Sequence, residues 1–194
     1  CAGLPGAVAP LGDFDPLDFM SKLPIQEIKR YREAETMHGR VAMLATVGYL
    51  VAEHYQFPYF QGHIGGPANT HLTQFREQFP SSFVGIMFTI ATLEFVRAAI
   101  GWENPITAIE KNNALEREDR RKYGADYVGE RLWFSRLYDH YYPGDLKFDP
   151  LNLKPNDPKE FAIMQTKELQ HGRLAMIAAV GMIVQEQITH ATLF

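Results

Sequence analysis

The sequence predicts an all-α membrane protein: three transmembrane helices, the first and third related by pseudo-twofold symmetry and crossing, plus short surface helices. Three observations carry this expectation. The stretch ETMHGRVAML (residues 35–44) recurs as ELQHGRLAMI (residues 168–177). Three segments of helical length, Val41 to Ala52, Phe83 to Leu93 and Leu174 to Val184, contain neither proline nor charge. The lysines and arginines are sorted between alternate connections. Together these place one domain over residues 1–194, with helices at about 25–55, 81–101 and 158–187.

The first helix is expected to start near Ile25, after Pro24, and the second near Ser81 or Ser82, after Pro80. The third is expected near Pro158, with Asn156 and Asp157 as capping candidates. With their flanks, each reaches the length that a hydrocarbon core of ~30 Å requires at ~1.5 Å per residue. Residues 53–80, with Pro58, Gly62, Gly65, Gly66 and Pro67, read as an irregular loop. Residues 107–123 read as a charged, solvated surface helix.

Hydropathy alone would make the chain soluble, since its mean hydropathy is -0.22 and no run of 18 apolar residues occurs. The cations say otherwise. Lys22, Lys29, Arg30 and Arg32 precede Glu35, only Arg76 lies between the first two helices, nine lie from Lys111 to Lys154, and none follows Arg173. Alternating rich and poor connections are what three spans with a positive-side N-terminus leave behind. A formal net charge of -4 and a pI near 6.0 give no footprint for nucleic acid. The single cysteine, Cys1, excludes a disulfide framework and a cysteine metal site. With no initiating methionine or targeting segment, the chain reads as a mature, processed one.

The repeat extends upstream. Phe14, Asp15, Pro16 and Leu17 reappear as Phe148, Asp149, Pro150 and Leu151, at nearly the same distance before Glu35 and Glu168. Loop and helix therefore recur as one unit. Within each copy, Glu35 and His38, or Glu168 and His171, stand i and i+3 on one helix face. Arg40 and Arg173 lie ~140° away from their own Glu at ~100° per residue. If the two helices cross, Arg40 reaches Glu168 and Arg173 reaches Glu35, so charges that are costly in a membrane find partners inside it. Gly39, Ala42, Ala45 and Gly48, with Gly172, Ala175, Ala178 and Gly181, permit close approach of backbones or of flat ligands.

The pairing leaves the imidazoles without a role, and two cofactor classes suit them. E-x-x-H on two helices is the carboxylate-bridged di-iron pattern, but only Glu94 on the remaining helix could extend it, and each Arg would compete for a carboxylate. The alternative is a magnesium already held in a macrocycle, needing one axial imidazole or carboxylate oxygen. A Glu paired with Arg through one oxygen still offers the other.

E-x-x-H-G-R-x-A-M on two helices, preceded each time by FDPL, resembles the light-harvesting chlorophyll-binding antenna proteins of thylakoid membranes, from Gly12 to about Gln187. The resemblance implies chlorophyll ligands at Glu35, His38, Glu168 and His171, with Arg40 and Arg173 as ion-pair partners. It adds Gln185, ~21 Å beyond His171 and within ~40° of its azimuth, and Glu94 beside Arg97 on the middle helix. The two FDPL loops become rests for carotenoid head groups. Magnesium enters only within chlorophyll. His171, where plant members usually carry Asn, and the compact length point to the fucoxanthin-chlorophyll a/c-binding proteins of red-lineage algae (the diatom type). The plant middle-helix Gln falls on Ile86, and His190 receives no assignment; His71 or Gln74 is a candidate for a peripheral pigment.

That resemblance implies chlorophyll a, chlorophyll c, and fucoxanthin or other xanthophylls as cofactors, and no catalytic cycle. It implies a chloroplast thylakoid location with a stromal N-terminus and a lumenal C-terminus. Partners would be a photosystem core, neighbouring antenna subunits and thylakoid lipids. Excitation transfer is the expected function, with energy dissipation by the same fold as the alternative.

Overall fold

The computed structural model describes residues 5–8, 12, 14–16, 23, 25–55, 58–124 and 136–193. Five α-helices account for most of them: α1 (Ile25–His54), α2 (Ala68–Gln78), α3 (Pro80–Gly101), α4 (Pro105–Tyr123) and α5 (Pro158–Thr189). The starts of α3, α4 and α5 follow from local chemistry. Each has proline in its first turn, where the missing N–H is no loss. Asn104 caps α4 by accepting the Ile106 N–H at 3.0 Å, and Asp157 caps α5 by accepting from Glu160 at 3.4 Å. His190, left-handed at φ 53°, closes α5.

At 30 and 32 residues, α1 and α5 are ~45 Å and ~48 Å long. They form the packed centre, and at Gly39 and Gly172 they touch backbone to backbone. A Cβ added to Gly39 would stand 3.0 Å from the Gly172 Cα, and one added to Gly172 would stand 2.9 Å from the Gly39 Cα. Around this contact Thr36, Ala42, Leu169, Ala175 and Ala179 are buried. Small side chains let the helices close.

The middle helix is different. Every residue from Val84 to Val96 is exposed, although Val84, Phe88, Leu93 and Phe95 are large and apolar. A helix that is apolar on all sides and unburied by its own protein belongs in an apolar medium. Among the described residues α3 alone is long and apolar enough to cross a membrane by length and composition, with a mean window hydropathy of 1.8. The charged motifs inside α1 and α5 keep those helices below that threshold.

α3 is held at its two ends. Near its start, Phe83 meets Phe75 of α2 with ring centroids 6.4 Å apart. At its far end the segment around Leu137 pairs with Trp102, and Tyr138 N–H donates to the Gly101 carbonyl at 3.1 Å.

Residues 53–80 are not an irregular loop throughout. They hold a 3₁₀ turn at Pro58–Phe60 and the 11-residue α2. Phe75 packs edge-on against Phe60 at 5.7 Å, and the Gln74 side chain bonds both the N–H and the carbonyl of Gly65 at 2.9 Å. The glycines that suggested a loop thus precede a helix whose Gln74 side chain fastens Gly65. Residues 107–123 lie in α4, where Ala108 alone among the described side chains is buried.

Candidate functional site

At the crossing, Arg40 Nε donates to Glu168 Oε1 at 2.7 Å and Arg173 Nε donates to Glu35 Oε1 at 2.7 Å. Each guanidinium spans helix to helix and continues into a loop. Arg40 Nη2 donates to the Gly144 carbonyl at 2.8 Å, and Arg173 Nη1 to the Gly6 carbonyl at 2.7 Å. Both glycines have positive φ, 83° and 104°, and both approach too closely for a side chain. A Cβ would stand 2.9 Å from Thr36 Cγ2 at Gly144 and 2.9 Å from Leu169 Cδ1 at Gly6. Positive φ and contact together require glycine. The glycine that answers Gly144 is therefore Gly6, whereas the sequence places Gly12 ahead of the first FDPL.

The two histidines share one geometry. His38 Nδ1 lies 2.7 Å from the Ala34 carbonyl, and His171 Nδ1 lies 2.7 Å from the Lys167 carbonyl. A carbonyl only accepts, so Nδ1 carries the proton and Nε2 carries a lone pair. Both rings are exposed, and among the described residues nothing bonds either Nε2. A backbone carbonyl on Nδ1 is also the usual way a metal-binding imidazole is oriented. The donor set thus fits one axial bond to a hard metal in a flat macrocycle, and the exposed apolar side chains Val41, Leu44, Leu174 and Ile177 beside it fit the ring's faces.

The carboxylates divide. Glu168 uses Oε1 for Arg40, and among the described residues its Oε2 makes no hydrogen bond. Glu35 has no such idle oxygen: Oε2 accepts from Arg32 Nη1 at 2.9 Å. Each carboxylate oxygen has two lone-pair sites, so Glu35 can still ligate, but as a carboxylate held by two arginines. Glu94 takes both Arg97 Nε (2.8 Å) and Nη2 (2.7 Å) on Oε2, and among the described residues its Oε1 makes no hydrogen bond. Gln185 is exposed on α5, and its side-chain amide is unbonded among the described residues. Gln74 spends both amide atoms on Gly65, which leaves one lone pair on its Oε1. His71 places Nε2 2.9 Å from the Gly66 carbonyl. Among the described residues, no three His, Cys, Asp or Glu side chains converge as a metal cluster would need.

In the first FDPL loop Phe14, Asp15 and Pro16 are described, while Leu17 lies outside the described residues. In the second, Phe148 is 83% exposed and Leu151 74%. Asp149 organises that loop by accepting the N–H groups of Leu153 and Lys154 at 2.9 Å. A cavity of about 660 Å³ opens beneath it, bounded by Arg40, Tyr142, Phe148, Phe161 and Glu168. The Lys154 and Leu153 amides hold the Asp149 carboxyl below its ordinary range. A depressed carboxyl stabilises the loop above its unfolded pKa, and the contribution is lost as pH falls through the folded value. Exchange protection of the Leu153 and Lys154 amides, corrected for intrinsic rate, is expected to hold down to about pH 4 and to fall below it.

At the other end of the helix pair stand two carboxylates that sequence reasoning did not use. In the register that matches Glu35 to Glu168, Glu53 matches Glu186. Glu53 accepts the Leu193 N–H through both oxygens, at 3.1 and 2.9 Å. Glu186, 2% exposed, accepts the Asn69 N–H in the first turn of α2 at 2.8 Å. Asn69 also donates to the Ile183 carbonyl at 3.1 Å and accepts from Tyr49. Each long helix thus fastens the segment that follows the other, through a carboxylate and a backbone amide. Glu186→Ala is expected to free α2 and speed tryptic cleavage after Arg76 by about 10-fold, the equivalent of ~1.4 kcal/mol of local opening.

Crossing helices with paired internal charges, and a third helix with apolar side chains on every face, define a helical membrane protein. The chain belongs to the chlorophyll a-b binding protein family, which it matches over residues 1–187. It is 42% identical to a fucoxanthin-chlorophyll a-c binding protein of Isochrysis galbana, over 98% of this chain and 79% of that protein. It is 40% identical to the light-harvesting complex stress-related protein 3.2 of Chlamydomonas reinhardtii, over 98% of this chain. The chain spans 65% of that relative's length. Similarity to the chlorophyll a-b binding protein 6 of Arabidopsis thaliana is lower, 30% over 89% of the chain and 59% of that protein.

Proposed function

We propose that this chain is a thylakoid light-harvesting protein that binds chlorophylls and carotenoids and passes excitation to a photosystem, with no catalytic cycle. Residues 1–194 act as one antenna domain in which α1, α3 and α5 cross the membrane and α1 and α5 are related by a pseudo-twofold axis. The N-terminus is stromal and the C-terminus lumenal, in keeping with the cations before Glu35 and between α3 and α5. His38, His171, Glu35, Glu168, Glu94 and Gln185 supply axial ligands, and the FDPL loops seat carotenoid ends. Chlorophyll a and c with fucoxanthin or other xanthophylls are the pigments expected. When bound, they supply absorption and energy transfer; the protein's part is to fix their ligation, spacing and orientation. Photosystem cores, neighbouring antenna subunits and thylakoid lipids are the surroundings such a surface fits.

The observation that carries this reading is the matched imidazole geometry of His38 and His171, each with Nε2 bare on an exposed apolar face. The test is pigment extraction and absorption of the purified protein. Red bands of chlorophyll and a xanthophyll fraction are expected, and a colourless protein after mild solubilisation would overturn the reading.

A second reading has support from the stress-related relatives at 40% identity: dissipation of excitation rather than delivery. Fluorescence lifetime measured from neutral to acid pH separates the two. Shortening in acid favours dissipation, and a flat lifetime removes a pH-triggered quencher.

A further inference from the structure

The two long helices match through most of their length, yet they differ where their loops dock. Position 33 in α1 is Glu, and position 166, its match in α5, is Thr. Both receive the N–H of the loop glycine: Gly144 N–H donates to Glu33 Oε2 at 2.7 Å, and Gly6 N–H donates to Thr166 Oγ1 at 3.2 Å. Thr166 then donates its own proton to the Ala162 carbonyl at 2.8 Å. A hydroxyl engaged this way serves its own helix and carries no charge to attract a cation.

Glu33 reaches further. It is 1% exposed and accepts from Arg97 Nη1 of α3 at 3.1 Å and from the Tyr141 hydroxyl at 3.1 Å. The ring of Tyr141 lies against Gly101 at the end of α3, where an added Cβ would meet ring carbons at 3.0–3.3 Å. Burial, and then the charge of Glu33, push the Tyr141 hydroxyl up to about 12, so it stays protonated and donating. α3 is therefore tied to α1 directly through Arg97 and indirectly through Tyr141. Arg97 is a fork: one edge holds Glu33, and the other, through Nε and Nη2, holds a single oxygen of Glu94.

We propose that Glu33 is a positioning residue for the ligand site at Glu94, and that the Glu33/Thr166 difference decides which of the two matched helices carries the middle helix. The proposal rests on the reading of Glu94 as a chlorophyll ligand. Glu33 touches no pigment in this scheme. It orients Arg97, which holds Glu94 by Oε2 alone and so keeps Oε1 free to ligate. Without the Glu33 carboxylate, Arg97 keeps one acidic partner and swings with it, and the buried Tyr141 and half-buried Gly144 donors lose their acceptor.

The test reconstitutes the full chain with chlorophylls and xanthophylls and counts pigments per protein in Glu33→Gln, Glu33→Thr, Glu33→Asp and Glu94→Leu. Glu94→Leu is expected to lose one chlorophyll. Glu33→Gln and Glu33→Thr are expected to lose the same one, with the same change in visible circular dichroism, and to lose no more when combined with Glu94→Leu. Glu33→Asp, which keeps the charge, is expected to recover most of it. Glu33→Thr guards against a folding failure in Glu33→Gln, because it copies what α5 already carries. A full complement with unchanged dichroism in Glu33→Thr, beside a loss in Glu94→Leu, overturns the positioning role alone. A full complement in Glu94→Leu overturns the ligand reading and this inference with it.

Discussion

Arg40→Leu is expected to remove the chlorophyll proposed at Glu168, on the opposite helix, and to spare the one proposed at Glu35 five residues away. Arg40 makes no contact with Glu35; its Nε bonds Glu168 at 2.7 Å and its Nη2 bonds the Gly144 carbonyl at 2.8 Å. Leucine fills much of the same space but leaves Glu168 as an unpaired carboxylate in an apolar setting. Removing one partner of a buried pair costs ~3–5 kcal/mol. The lower end applies, because about a third of each side chain is exposed. Glu168 loses the cation that holds its Oε1 and is free to turn away from the ligand position. The midpoint of thermal pigment release should fall by about 6–12 °C, from ~2–4 °C per kcal/mol for a chain of this size. Pigment analysis of Arg40→Leu beside Glu168→Leu makes the comparison: the two should lack the same chlorophyll. Loss of the Glu35 pigment alone would mean that the arginine serves its own helix.

Much of this was legible because charges inside apolar helices must be explained. The ~140° separation of Glu35 and Arg40 places them poorly for a pair within one helix, and the repeat offered partners across a crossing. In the structure the partners are those, and the crossing falls at Gly39 and Gly172. What escaped notice has equally physical causes. α2 was hidden by flanking glycine and proline, since nothing local reveals that Gln74 will close on Gly65. Gly6 was passed over because the FDPL match drew attention to Gly12, whereas the need for a loop carbonyl beneath Arg173 is tertiary. Arg32 looked like one more positive-side cation, yet it occupies the second oxygen of Glu35. Glu33 has an acidic neighbour two residues on and a threonine in the repeat, so the duplicated motif does not single it out. A buried Glu becomes visible only when a distant Arg97 and Tyr141 arrive. Glu53 and Glu186 were the missed opportunity, for their matching register was in the sequence throughout.

The small residues at the crossing separate into two kinds, and one pair of substitutions tells them apart. Gly39 and Gly172 meet backbone to backbone, so even a Cβ on Gly39 would sit 3.0 Å from the Gly172 Cα. That neighbour is main chain inside a helix and cannot move aside alone. Gly39→Leu must therefore push α1 and α5 apart by an ångström or more, which stretches both 2.7 Å ion pairs together and uncovers Ala42 and Ala175. Overpacking alone costs ~1–3 kcal/mol, and loss of the paired charges adds ~3–5 kcal/mol. The sum approaches the whole stability of a typical domain, so the chain is expected to fail to reconstitute with any pigment. Gly48 and Gly181 stand at matching positions further along, and a Cβ on either meets nothing within 4 Å. Gly48→Leu should leave the helix pair and its ion pairs intact. It should fill space that a flat pigment would share, so a reconstituted Gly48→Leu protein is expected to fold yet lose one pigment. Equal tolerance of leucine at Gly39 and Gly48 would show that the crossing is not the backbone contact seen here. Equal failure would show that Gly48 also packs against protein.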